Sequence, residues 1–142
     1  MAAAFLVGLT TGLFPFALAE ATALAAGSIA SSFARLGVLV AFSAGHVLGK
    51  MAWYAAGRAE QWIRSPRIRA HIEKAKVAAA EHPSASIGVI ASSATLSLPP
   101  FHLLTLAAGI VKAPPLRFAV VAFVGRLIRF GAIAAFPRLF AL

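Results

Sequence analysis

Six ionisable side chains stand inside otherwise apolar stretches: Glu20, His46, Lys50, His102, Arg126 and Arg129. His46 and Lys50 are four residues apart and Arg126 and Arg129 three apart, so each pair shares a helix face. A charge at the centre of a membrane helix costs about 2.5–3.5 kcal/mol on insertion scales, so its presence asks for a partner or a function. With the histidines neutral, Glu20 stands against Lys50, Arg126 and Arg129, and that excess of positive charge suits a phosphate. Glu20, His102, Arg126, Arg129 and Lys50 are therefore the candidate substrate-binding residues. Plainer roles exist for each. Glu20 can clamp Lys50 or an arginine, the two arginines can snorkel to an interface, and His46 and His102 can be hydrogen-bonded core residues. The four histidines form no HExxH or comparable spacing, so no metal is expected. Ser92, Ser93 and Ser97 have no base at a recognisable spacing and no carboxylates are paired, which argues against an enzyme and leaves no cofactor to expect.

Those residues need a carrier that keeps them from water. The chain has 142 residues, of which 61% are hydrophobic and 12% charged. Soluble domains are roughly a quarter charged, so an all-α integral membrane protein is expected. The net charge of +9 would elsewhere point to nucleic acid, but most Lys and Arg lie between apolar blocks rather than across a polar face. Anionic lipid headgroups are the better partner, and no nucleic acid is expected. Without cysteine there is neither a disulfide framework nor a thiolate metal site. The first thirty residues lack a basic leader, so a cleaved signal peptide is not expected.

Residues 1–32 hold one ionisable side chain, Glu20, and are interrupted by Gly12 and Pro15. Two crossings need about 40 residues at roughly 20 each, so a re-entrant helical hairpin bending near Phe14-Pro15 fits better. Residues 34–57 are long enough to span once. Residues 58–83 form a basic linker, in which Ser65-Pro66 reads as a helix start and Pro83 as a stop. With Trp62, Ile68 and Ile72 this is a basic amphipathic surface helix or, equally, a solvated connector. Residues 84–111, broken at Pro99-Pro100, repeat the hairpin, and residues 114–136 form the second span. A helix beginning after Pro15 and another after Pro100 would point their N-termini inward, where backbone N–H groups favour an anion. Trp53-Tyr54 and Trp62 read as an interfacial aromatic belt, and Gly45 with Gly49 as a close helix contact within or between chains.

The halves 1–57 and 84–142 also resemble each other. LAEATALAAG lies on PFHLLTLAAG so that Glu20 meets His102, Arg35 meets Arg117 and Gly49 meets Gly131. Hairpin plus span, crossing once, makes this an inverted repeat within one membrane domain. The linker side holds Arg58, Arg64, Arg67, Arg69, Lys74, Lys76, Lys112 and Arg117 against Arg35 and Arg138 opposite, which places the linker in the cytoplasm and both termini outside. An Ala-rich composition points to a bacterial plasma membrane, and the small size to a homodimer.

FPFALAEATALAAG, GHVLGKMAWYAAGR, LPPFHLLTLAAG and GRLIRFGAIA, in that order, resemble the DedA family of SNARE-associated or VTT-domain membrane proteins, in its short YqaA-like branch. The resemblance implies two facing re-entrant hairpins and a part in moving phospholipids or polyprenyl phosphate carriers across membranes, with Glu20 the best-matched position and Arg126 and Arg129 next. The chain departs from longer family members in having Lys50 where they have an acidic residue, and Thr95, Leu96, Ser97 and Leu98 where they have an arginine. His102 also stands where relatives often carry a full charge, and these departures weaken any transfer of proton coupling. A non-transporting scaffold that binds anionic lipid is the alternative reading.

Overall fold

The structure, a computed structural model, describes residues 1–14, 18–59, 65–98 and 100–139, without the side chains of Ile68, His71, Ala75, Ala78, Ala79 and 137–139. Seven helices follow in order: α1 (Ala2–Leu13), α2 (Leu18–Gly27), α3 (Ser32–Arg58), α4 (Pro66–Glu81), α5 (Pro83–Leu96), α6 (Phe101–Ile110) and α7 (Pro115–Leu139). No described residue is in a strand. Two helices are long and apolar enough to cross a membrane, Ser32–Arg58 and Pro115–Phe136.

Local signals set the ends. Ser31 caps α3, its hydroxyl accepting from the Ala34 amide at 3.3 Å. Pro66, Pro83 and Pro115 each open a helix, where a missing N–H costs nothing. Pro83 thus starts α5 as well as ending α4, which the sequence reading treated only as a stop. The bend at Pro15 and the ring of Trp62 lie outside the described residues.

Packing is built on glycine in the first half. A methyl at Gly8 or Gly12 would strike the Phe42 or His46 carbonyl, and one at Gly45 or Gly49 the Phe5 or Leu9 carbonyl, so α1 and α3 touch backbone to backbone. The GxxxG contact is therefore made within the chain. Met1 meets Gly37 at one end, and the Trp53 indole donates to the Leu13 carbonyl at 2.8 Å at the other, so α1 runs parallel to α3. Phe42 packs on Phe130 with ring centroids 4.8 Å apart and Tyr54 on Phe118 at 5.6 Å, so α3 and α7 run antiparallel.

Each long helix packs on the first short helix of its own half and the second short helix of the other: α1 and α6 on α3, α5 and α2 on α7. Gly27 of α2 lies against the Ala134 carbonyl and Gly109 of α6 against the Tyr54 carbonyl, so the two AAG sequences make corresponding crossings. The correspondence is incomplete, because nothing lies within 4 Å of a side chain added at Gly131, whereas its counterpart Gly49 is closely packed. Tyr54 is buried and its hydroxyl donates to the Ala113 carbonyl, so it belongs to the core and not to an exposed aromatic belt.

Two apolar clusters stack along the long helices. One holds Tyr54, Ile90, Phe101 and Phe118, the other Ala23, Leu39, Phe42 and Phe130. Outside them, Leu116, Val120, Val124 and Ile128 form an exposed stripe along α7. In α4, Ile72 is buried and Val77 exposed.

Candidate functional site

Between the two clusters, at mid-height of α3 and α7, lies a cavity of about 320 Å³. Thr11, Phe14, Ala19, Glu20, His46, Lys50, Ser97, Pro100, Phe101, His102 and Arg126 line it. Its position follows from helix direction: α1 stops near Trp53 and α2 turns back, while α5 stops beside Arg129 and α6 turns back. Phe14, after α1, and Ser97, after α5, both line that space.

The long helices supply its cations. Lys50 is 3% and Arg126 4% exposed. Among the described residues neither has a hydrogen-bonding or ionic partner, and Nε of Arg126 is buried without an acceptor. The guanidinium lies over aromatic rings instead, Cζ being 4.2 Å from the Phe101 centroid and 5.7 Å from that of Phe130. Such cation–π contacts are worth about 0.5–2 kcal/mol, well short of the several kcal/mol lost on desolvating a charge. Arg126 does not snorkel outward.

Arg129 does something different. It donates to the Glu20 carboxylate at 3.2 Å and to the Thr95 carbonyl at 3.2 Å, and it does not line the cavity. One side chain of α7 thus ties the start of α2 to the end of α5. Of the alternatives for Glu20, a clamp to an arginine is the arrangement found, although Glu20 also faces the cavity.

His46 receives support from both neighbours. Its Nδ1 lies 3.2 Å from the Thr11 hydroxyl, its ring stands edge-on to Phe130, and its buried Nε2 has no partner among the described residues. His102 faces the same cavity and lies 6.5 Å, ring to ring, from Trp53. It sits in the first turn of α6, where Pro100 offers no side-chain cap. The Leu103 amide donates to the Pro100 carbonyl, and among the described residues no acceptor is found for the N–H groups of Phe101 and His102, two residues that line the cavity.

Four of the five expected residues, Glu20, Lys50, His102 and Arg126, therefore meet in one space, and Arg129 buttresses it. His46 was legible as a neighbour of Lys50 one turn away. Thr11, Phe101 and Ser97 carried no signal, since their roles depend on which helices meet. The arrangement can hold an anion between Lys50, Arg126 and the start of α6. No family model, no curated protein and no solved structure matches this chain.

Proposed function

We propose that this chain is an integral membrane protein that binds the phosphate of a lipid in the central cavity and carries it across the bilayer. The observation that bears most weight is the pair of buried cations, Lys50 and Arg126, which share one cavity with Glu20 and form no ion pair among the described residues. In this reading α3 and α7 span a hydrocarbon layer of about 30 Å, since helices of 27 and 25 residues reach about 40 Å and 37 Å. The shorter pairs α1–α2 and α5–α6 are re-entrant hairpins, and their reciprocal packing on the spans supports an inverted repeat. The exposed α7 stripe then faces acyl chains. The DedA resemblance of the ordered motifs agrees with this reading, with the bacterial plasma membrane as the location.

Phosphate would be held by two charge-assisted contacts and the unpaired α6 amides, which are favourable only where water is excluded. Its acyl chains stay outside, between the helices. The Glu20–Arg129 pair joins α2 to α7 and would have to loosen for a headgroup to pass.

The test is headgroup translocation in proteoliposomes, with fluorescent phospholipid and with polyprenyl phosphate, comparing the wild type with Lys50→Gln and Arg126→Gln. Each loss of a charged contact of about 1.5–3 kcal/mol predicts a fall of at least roughly tenfold in rate. Absence of wild-type activity on both lipids, where a known scramblase works, would favour a scaffold that binds anionic lipid without moving it. The Glu20–Arg129 clamp is the observation on that side.

A further inference from the structure

We propose that a second, separate groove between α5, α6 and α7 docks one anionic phospholipid, an acyl chain lying on its apolar wall and the phosphate at a basic rim. The proposal rests on the membrane reading above but uses none of the central residues. The groove has a volume of about 670 Å³, within the range of roughly 300–1,000 Å³ typical of ligand sites. Its wall includes Ile87, Ile90, Leu104, Phe118 and Val121.

Charge is confined to one end. Lys112 and Arg117 come from the α6–α7 connection and the first turn of α7, and Lys76 and His82 from the end of α4 and the residue before α5. Among the described residues, no Asp or Glu lines the groove. Lys76 also pairs with Glu73 at 3.0 Å. A slot that is apolar along its length and cationic at one mouth has the same order of groups as an anionic lipid. A neutral lipid leaves the rim unused, and a soluble anion leaves the wall unused. The basic mouth is on the linker side, which the positive-inside rule assigns to the cytoplasm, where anionic lipid is concentrated.

The rim is also held still. Lys112 takes a left-handed φ of 55°, a place where glycine is the easy residue, and closes α6 with a Schellman turn. Its amide bonds the Gly109 carbonyl at 3.0 Å and the Ala113 amide the Ala108 carbonyl at 3.0 Å. The buried Tyr54 hydroxyl holds the Ala113 carbonyl from α3. A rigid turn therefore presents the charge.

The protein is placed in nanodiscs containing equal phosphatidylcholine and phosphatidylglycerol, and retained lipids are counted by native mass spectrometry. The expected result is phosphatidylglycerol retained over phosphatidylcholine with a preference of roughly tenfold or more, the ratio equivalent to about 1.4 kcal/mol. Lys112→Gly with Arg117→Gln should abolish the preference; because glycine suits the left-handed turn, folding is kept. Val121→Trp, which fills the groove, should reduce retention of both lipids. Equal retention of the two lipids by the wild type, or a preference that survives both groove variants, overturns the proposal. A silent translocation assay alongside a positive lipid count would fault the central cavity alone. Recovery of the chain in the soluble fraction, without detergent, would fault the membrane reading itself.

Discussion

Lys50 and Arg126 carry the strongest tension between stability and use. A buried cation without a partner is destabilising, and replacing buried charge by apolar side chains of similar size often stabilises by about 1–4 kcal/mol. Lys50→Met and Arg126→Met are therefore expected to raise the unfolding temperature in detergent by several degrees, at roughly 2–4 °C per kcal/mol, while translocation is lost. Inorganic phosphate should raise the unfolding temperature of the wild type and not of these variants, because a ligand stabilises only the state that binds it. Scanning fluorimetry with and without phosphate decides this; a wild type indifferent to phosphate and variants of lowered stability would show the cations to be structural. Arg129 makes the opposite prediction. Glu20→Gln leaves that guanidinium with the Thr95 carbonyl alone and should destabilise by about 1–2 kcal/mol, discounted because both side chains are partly exposed. A double-mutant cycle with Arg129→Gln should return a coupling of about the same size, and additivity would deny the pair any weight.

Among elements, the α1–α3 contact is the least tolerant. An added methyl at Gly12 or Gly45 meets backbone of the opposing helix, which cannot move aside without separating the helices. Gly45→Ala is expected to destabilise by about 1–3 kcal/mol or more through overpacking. Gly131→Ala, in open space within α7, should instead stabilise by about 0.5–1 kcal/mol, since alanine loses less backbone freedom in a helix. Thermal unfolding of the two variants side by side tests the packing, and equal behaviour would contradict it. The contrast also marks where the halves differ: glycines bring α1 against α3 backbone to backbone, whereas at the α5–α7 crossing Gly125 faces the Ala94 side chain.

For the whole molecule, the prediction concerns its orientation. The chain has no cysteine, so single cysteines can be introduced without background. Ser28→Cys, exposed between α2 and α3, should react with an impermeant maleimide added to intact cells, and Glu73→Cys, exposed on α4, only after permeabilisation. The reverse pattern would invert the assignment that the Lys and Arg distribution makes. Labelling of both from outside would remove the membrane-spanning reading of α3.

The sequence by itself determined the helical class, the two long helices and the list of charges that had to be accommodated, because hydropathy, segment length and proline position act locally. Residues 34–57 and 114–136 were legible as α3 and α7 within a few positions, and Pro66 and Pro114-Pro115 marked helix starts, whereas Pro83 was legible only as a stop. Which cation would be satisfied was not legible. Arg126 and Arg129 are three residues apart and chemically alike, yet one lies under Phe101 facing a cavity and the other is bound by Glu20 and Thr95. That difference arises from the angle at which α2, α5 and α6 meet α7, a property of helix packing between residues up to 109 positions apart. Tyr54 was misplaced for the same reason: one position after Trp53 and about 100° further round α3, it points into the core. Local chemistry chose the residues, and only the tertiary contacts decided which of them remained without a partner.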